Sequence, residues 1–148
     1  MKLLVDNKIP FFREYLKKIK NHDQFIIKYF DDNNLENDDC LKADALFIRS
    51  TTRVNSELLS NSPIKFIGSA TSGYDHFDNN ILNNSKYSIY VASGCNASAV
   101  VNWVLSCIGL LVFKKVISRN RMFGIIGYGN VGKPVSYTHL RAHETCGH

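Results

Sequence analysis

One glycine-rich segment near the end of this chain constrains its fold more than any other feature. Residues 123–132 read FGIIGYGNVG, so an apolar run leads directly into the pattern Gly-x-Gly-x-x-Gly. In a dinucleotide-binding fold the first glycine permits a tight turn, the second lets the backbone approach a pyrophosphate, and the third allows close packing of helix and strand. The segment predicts a strand, a phosphate-binding turn and a helix that begins near Lys133-Pro134, and an ordinary strand-to-helix turn is the alternative. The predicted cofactor-binding residues are Gly127, Gly129, Asn130, Val131 and Gly132.

The late position of this segment predicts how the chain is organised. A dinucleotide-binding domain needs about a hundred residues after its glycine turn, and only residues 133–148 follow. The acidic residue that would distinguish NAD from NADP belongs about twenty positions past the turn. We therefore expect a truncated chain with a substrate domain at 1–98, an interdomain helix and the start of a Rossmann domain at 99–135, and a non-native tail at 136–148.

Composition and charge exclude several classes of function. The formal net charge is +5, but the lysines and arginines are scattered and form no basic stripe, which argues against nucleic-acid binding. The longest apolar run, 100–113, contains Asn102, Ser106 and Gly109 and is too short and too polar to span a membrane. Cys40, Cys95, Cys107 and Cys146 are far apart, so we expect reduced thiols in a cytoplasmic protein and neither disulfides nor a metal site.

Short apolar runs alternate with helical patterns along the chain. The alternation predicts an α/β fold with a parallel, doubly wound sheet. The predicted strands are 2–5, 25–30, 45–48, 64–67 and 88–91. Helices are expected after Pro10, from Asn55 to Leu59, at 81–82 with Asp75 or Asp78 as its cap, and from Asn96 to about Lys115. Residues 31–39 are expected to form a loop.

Several blocks of sequence, in this order and spacing, resemble the D-2-hydroxyacid dehydrogenase family. The blocks are Asp6-Asn7, residues 43–50 (ADALFIRS), residues 64–76 (IKFIGSATSGYDH), Gly94-Cys95-Asn96-Ala97 with Ala99-Val100, and the glycine segment 127–132. Ser93 stands where the family usually has proline, and Asn102-Trp103 replaces an acidic residue and a tyrosine. The resemblance implies a flavodoxin-like substrate domain followed by the first strand and phosphate-binding turn of a Rossmann domain.

The resemblance also implies an activity. The expected reaction is NAD-dependent oxidation of 4-phospho-D-erythronate at C2, a step of pyridoxal 5'-phosphate biosynthesis, by a homodimer. The alternatives are a family member acting on 3-phosphoglycerate or glyoxylate, and a non-catalytic NAD-sensing protein of the same fold. The family's catalytic Arg, Glu and His match no residue of this chain, so the chain alone is expected to be inactive.

By the family pattern Ser50 and Thr71 contact the substrate. Each follows a predicted strand, and open α/β sheets bind ligands at the carboxyl ends of their strands. The alternative is that these hydroxyls only satisfy turns. Arg49 and Arg53 could provide positive charge for a phosphate, and His76 is expected to be structural or exposed.

The last residues present a pattern that resembles a zinc site. His139 and His143 lie four apart, and Cys146 and His148 follow. The tail has few apolar residues for packing on a sheet, and 135–145 is similar to a peptide produced by translating sequencing-adapter DNA. We therefore expect no metal site here.

Overall fold

A parallel five-stranded sheet is the main element of the structure. The computed structural model describes residues 1–31, 34–118 and 122–137. The strands are β1 (Lys2–Asp6), β2 (Ile26–Phe30), β3 (Ala45–Ile48), β4 (Phe66–Ser69) and β5 (Ser88–Val91), in the spatial order β2-β1-β3-β4-β5. Every neighbouring pair is parallel. This is the flavodoxin-like strand order, so the predicted fold class is confirmed.

The apolar runs form the strands because the inner ones are buried on both faces. Leu3, Val5 and Ala45 pack on one face together with Phe12 of the first helix. The opposite face holds the larger cluster, to which Leu4, Leu46, Ile48 and Ile67 contribute. The alternation within β1 and β3 is the two-residue period of a strand, and burial on both faces explains why these strands read as continuous apolar runs.

One glycine lets two of these strands pack closely. A Cβ built on Gly68 would lie 2.9 Å from the Cδ1 atom of Phe47 on the neighbouring strand. The Phe47 ring also packs edge-on against Phe12, with centroids 4.9 Å apart. The small residue in β4 thus makes room for an aromatic ring that ties the first helix to the sheet.

The helices are short apart from the last. They are α1 (Phe12–Leu16), α2 (Asn37–Cys40), α3 (Asn79–Leu82) and α4 (Ala97–Phe113), with a 3₁₀ turn at His22–Gln24. Asn96 is the N-cap residue of α4 as expected, although its side chain makes no capping hydrogen bond. Lys114 is the C-cap residue.

Two local predictions were wrong. The expected loop 31–39 contains the start of α2, where the Glu36 N–H donates to the Asp39 carboxylate at the helix start. Residues 56–61 form turns rather than a helix. The Asn55 Oδ1 atom accepts the Leu58 N–H at 2.8 Å, and this side-chain bond stabilises the turn.

The chain divides into two compact units, Met1–Ser93 and Gly94–His148. The whole sheet lies in the first unit. In the second, α4 is followed by residues 122–128, which form no ladder with any described residue, and by a helical stretch at 132–137. A strand needs a hydrogen-bonded neighbour, and no described residue provides one for the strand that the sequence predicts before Gly127. The helix predicted near Lys133 is present.

Some of the predictions concern residues that the structure does not describe. The tail residues His139, His143, Cys146 and His148 lie outside the described residues, and the predicted boundaries at 98 and 135 stay predictions. None of the helices among the described residues is long and apolar enough to cross a membrane.

Candidate functional site

Polar side chains gather at the carboxyl edge of the sheet, just past the last paired residues. Val5 pairs with Phe47, and Ile48 pairs with Ser69. This register brings the ends of β1, β3 and β4 to one edge, which is where open parallel sheets bind ligands. Ser50 follows β3 and Thr71 follows β4 at this edge.

An ion pair joins β1 to β3 where the strand order reverses. The Arg49 Nε–H donates to the Asp6 Oδ2 atom at 2.8 Å. The Asp6 side chain is fully buried and that of Arg49 is 23% exposed. The other Asp6 oxygen accepts the Lys8 N–H at 2.8 Å. Much of the Arg49 charge is therefore balanced within the protein, and its first role in this geometry is to compensate a buried carboxylate.

Arg53 is also paired with a carboxylate. Its guanidinium donates to Asp78 Oδ1, with the closest nitrogen at 3.1 Å, and its side chain is 79% exposed. Asp78 occupies the N-cap position of α3, but its side chain makes no capping hydrogen bond. An exposed pair of this kind exchanges readily with solvent, so Arg53 can still turn toward an anion.

A cavity of about 260 Å³ lies between the loops that follow β3 and β4. Its lining residues are polar: Ser50, Thr51, Arg53, Ser72, Asp75 and His76. The Ser72 hydroxyl donates to the Ala92 carbonyl oxygen at 3.1 Å, which ties this loop to the end of β5. Ser50 is exposed and Thr71 is half-buried. The structure thus places Ser50 and the loop that carries Thr71 around one polar cavity.

The Thr71 hydroxyl belongs to a short chain of hydrogen bonds that leads into the protein. Thr71 Oγ1 lies 3.0 Å from Ser69 Oγ, and Ser69 Oγ lies 3.0 Å from His76 Nε2. Ser69 and His76 are both buried, at 4% and 8% exposure. Burial lowers the pKa of His76 from its usual value, and the neighbouring Asp75 carboxylate opposes that shift.

Sequence reasoning missed this chain of hydrogen bonds. It allowed for a structural His76, which the burial agrees with, but it gave Ser69 no role, and it took Asp75 as a possible helix cap, a position that Asp78 occupies instead. Ser69 is the last residue of β4 and His76 lies seven residues on, after Gly73 with φ of +87°. The glycine at this position was the available signal in the sequence, because glycine readily adopts the positive φ with which a loop turns back on itself.

The glycine segment has the backbone that its pattern predicts at two positions. Gly127 has φ of +96°, in the left-handed region that favours glycine. A Cβ on Gly132 would collide with the carbonyl oxygen of Gly127, so the helix start and the turn approach too closely for any side chain. In contrast, a Cβ on Gly129 would have no atom of the described chain within 4 Å.

Gly129 is therefore the informative position for a cofactor. Packing within the described chain does not require glycine there, whereas a pyrophosphate that approaches the backbone would. Asn130 and Val131 lie in the same turn, and the Asn130 amide packs over Gly94, whose φ is +74°. The residues present fit a dinucleotide phosphate.

The described residues contain no group of three or more His, Cys, Asp or Glu side chains that could hold a metal ion. The described cysteines, Cys40, Cys95 and Cys107, form no disulfide. Burial raises the pKa of the Cys40 thiol to about 12, so this thiol stays protonated and unreactive.

Comparisons with known proteins agree on one family. Residues 3–140 match the model of the D-isomer specific 2-hydroxyacid dehydrogenase catalytic domain. The chain is 40% identical over 134 residues to erythronate-4-phosphate dehydrogenase of Pectobacterium carotovorum and 41% identical over 133 residues to that of Salmonella arizonae. These matches cover 90% and 89% of the chain but 34% of each relative, so the chain spans about a third of their length.

A solved structure shows the same fold. NAD⁺-bound 3-phosphoglycerate dehydrogenase of Entamoeba histolytica superposes with a TM-score of 0.67 at 20% identity, over 95% of this chain and 51% of that one.

Proposed function

Because the chain belongs to the family of D-isomer specific 2-hydroxyacid dehydrogenases, we propose that it provides the substrate-binding part of an enzyme that oxidises 4-phospho-D-erythronate with NAD. The observation that carries this proposal is the 40% identity to erythronate-4-phosphate dehydrogenase over 90% of the chain. The reaction converts the C2 hydroxyl of the substrate to a ketone, and NAD supplies the hydride acceptor when bound. The physiological setting we propose is pyridoxal 5'-phosphate biosynthesis in the cytoplasm, with a homodimer as the working enzyme.

In this proposal Ser50 and Thr71 hold an acid group of the substrate. Both lie past the carboxyl ends of adjacent strands, and their hydroxyl and backbone N–H groups are hydrogen-bond donors suited to an anion. Arg53 borders the same cavity and adds positive charge. The role of these residues is to bind and orient the substrate.

The proposed cofactor contacts come from the glycine segment. Gly127 and Gly132 shape the turn, and Gly129 leaves its backbone open to a pyrophosphate. Asn130 and Val131 complete the contact. NAD is the proposed cofactor because the fold neighbours include dehydrogenases solved with NAD.

A second candidate substrate within the family is 3-phosphoglycerate, since an enzyme for it shares the fold. It also carries a carboxylate, a 2-hydroxyl and a phosphate, but its carbon chain is one atom shorter. The identity to erythronate-4-phosphate dehydrogenases favours the longer substrate.

Titration of the ¹⁵N-labelled chain followed by NMR tests the substrate directly. We expect 4-phospho-D-erythronate to shift the amide signals of Ser50, Thr71 and Ser72 at lower concentration than 3-phosphoglycerate or glyoxylate does. The Tyr29 signal, on β2 at the far edge of the sheet, serves as the control. Tighter binding of 3-phosphoglycerate would favour the second candidate.

A hybrid enzyme tests the activity. Residues 1–134 of this chain would replace the matching segment of the Pectobacterium relative, whose remaining sequence completes the enzyme. We expect NADH formation from 4-phospho-D-erythronate, and a folded hybrid that binds NAD without turning over this substrate would contradict the proposed substrate.

A further inference from the structure

The buried chain of hydrogen bonds from His76 through Ser69 to Thr71 has no role in the binding scheme above. It connects the half-buried Thr71 hydroxyl, a substrate contact in that scheme, to a buried imidazole that borders the polar cavity. Two buried polar groups in contact are costly unless their donors and acceptors match. The number of protons on these three side chains therefore limits the directions that their hydrogen bonds can take.

Ser69 Oγ is the centre of this arrangement. It accepts the backbone N–H of Thr71 at 3.4 Å and lies 3.0 Å from both Thr71 Oγ1 and His76 Nε2. A hydroxyl has one proton and two lone pairs. With one lone pair facing the Thr71 N–H, Ser69 must donate to one of its other two neighbours and accept from the other.

Only two arrangements satisfy these contacts. In the first, His76 Nε2–H donates to Ser69 and the Ser69 hydroxyl donates to Thr71, which leaves the Thr71 proton free for a ligand. In the second, Thr71 donates to Ser69 and Ser69 donates to an unprotonated His76 Nε2, so the Thr71 hydroxyl offers only lone pairs to a ligand. An anion accepts hydrogen bonds and donates none, so it can bind Thr71 only in the first arrangement.

We propose that Ser69 and His76 are positioning residues that hold the Thr71 hydroxyl ready to donate to the anionic substrate, with His76 in the Nε2–H form in the free and the bound chain. The consequence for substrate binding rests on the proposed function, whereas the direction of the hydrogen bonds does not. The bonds themselves run within the loop that joins β4 to α3.

The tautomer of His76 is a meaningful variable because the ring is neutral near pH 7. Its pKa is lowered by burial, and a neutral imidazole has one N–H. Within the described residues, the Nδ1 atom has no hydrogen-bond partner that would fix the tautomer from the other side. The bond to Ser69 is therefore the contact through which the protein selects between the two forms.

The first test is the tautomer itself. Histidine ring ¹⁵N shifts are recorded for the full chain at about pH 7.5, above the usual histidine pKa, and the His76 signals are identified by their absence in His76→Gln. The proposal expects a protonated Nε2 and an unprotonated Nδ1. The opposite pattern in the free chain would overturn it, whether or not any ligand binds.

The second test is affinity, measured with 4-phospho-D-erythronate on the same chain by NMR titration. Ser69→Ala removes the donor to Thr71 and should weaken binding about tenfold, the factor expected for a lost hydrogen bond of ordinary strength. Ser69→Thr keeps the hydroxyl and should bind within about twofold of the unchanged chain. In His76→Gln the side-chain amide N–H can replace the Nε2–H donor to Ser69, whereas His76→Leu has no donor. The glutamine variant should therefore bind more tightly than the leucine variant.

The amide spectrum of each variant shows whether it folds, and D-erythronate as a second probe shows which acid group Thr71 contacts. A loss of similar size with both ligands assigns the carboxylate, and a loss restricted to the phosphorylated ligand assigns the phosphate. Folded Ser69→Ala that binds as well as the unchanged chain would overturn the proposal. If the unchanged chain binds neither ligand, the proposed substrate is wrong, and the tautomer still decides the direction of the hydrogen bonds.

Discussion

At the residue scale, the candidate site depends on side chains with few protons to donate and little room to move. Thr71 has a single hydroxyl, part of whose bonding capacity is used by Ser69. His76 is held by its bond to Ser69 and by ring contact with Phe77, with centroids 4.4 Å apart. Substitutions at Thr71 should therefore change ligand binding, and substitutions at His76 should also change how stability depends on pH.

Thr71→Val removes the hydroxyl and keeps the shape of the side chain. A hydrogen bond to a charged group contributes about 1.5 to 3 kcal/mol, so the KM of the hybrid enzyme for 4-phospho-D-erythronate should rise about ten- to a hundredfold while the KM for NAD changes little. Thr71→Ser, which keeps the hydroxyl, is the matched control. Equal losses for both ligands in steady-state kinetics would contradict the substrate assignment.

Acid should destabilise the chain through His76. Its pKa in the folded chain is lowered by burial, so the unfolded chain takes up the proton first as pH falls through the usual histidine value of about 6.5. The free energy of unfolding is therefore highest above that pH and decreases below it. His76→Gln should flatten this slope in urea unfolding between about pH 7.5 and about pH 5.5.

The control for that experiment is a histidine outside the core. His22 has a side chain that is 39% exposed and lies in the 3₁₀ turn. His22→Gln, which removes an imidazole that is not buried, is the matched variant in the same urea unfolding experiment. If both variants flatten the slope alike, the burial of His76 is not its cause.

At the scale of elements, the sheet is joined at its carboxyl edge by charge as well as by its backbone ladder. The Asp6–Arg49 pair connects β1 and β3 at the point where the strand order reverses. A fully buried carboxylate that loses its cationic partner is left uncompensated, and this costs more than the pair itself contributes. The pair is therefore required by the burial of Asp6.

Arg49→Met should lower the free energy of unfolding by about 3 kcal/mol, the magnitude for breaking a buried pair. Arg53→Met is the matched control because its pair with Asp78 is exposed, and it should change stability by less than about 1 kcal/mol. Urea unfolding of both variants provides the comparison. Equal losses of stability in the two variants would show that the buried Asp6 carboxylate does not need Arg49 as its cationic partner.

The glycine turn yields a prediction of the same kind. Gly129→Val places a branched side chain in space that no other atom of the described chain occupies and that the pyrophosphate is proposed to fill. It should therefore raise the KM of the hybrid for NAD by at least about tenfold, with little change in the KM for the substrate. Gly109→Ala, at another glycine whose Cβ would be open to space, is the control and should leave both constants unchanged. A Gly129→Val hybrid with unchanged NAD affinity would remove this turn from the cofactor site.

At the scale of the whole molecule, the first unit contains the complete sheet and both of its core faces. Both clusters of buried apolar residues around the sheet lie within residues 1–93. A parallel sheet covered on both faces can be stable by itself.

Residues 1–93 expressed alone should therefore unfold cooperatively and keep the amide spectrum of that part of the full chain. Circular dichroism on heating and an NMR spectrum provide the measurements. A broad, non-cooperative transition would show that residues after Ser93 are needed to complete the core.

The sequence by itself determined the parallel α/β class, the approximate positions of the five strands of the sheet, the long last helix and the tight turn at Gly127. It placed β4 two residues too early, and it predicted a strand before Gly127 that has no paired neighbour among the described residues. These features depend on local patterns: an apolar run favours a buried strand, and only glycine adopts a positive φ without strain. It also pointed to Ser50 and Thr71, because both follow such runs.

The tertiary structure alone decided which polar groups meet. Asp6 and Arg49 are 43 residues apart, and their contact depends on the register of β1 with β3. The link from His76 to Thr71 through Ser69 depends on how one loop folds back on itself. Local preference cannot specify such pairings because hydrogen bonds and buried charges are satisfied by whichever groups the packed chain brings within reach.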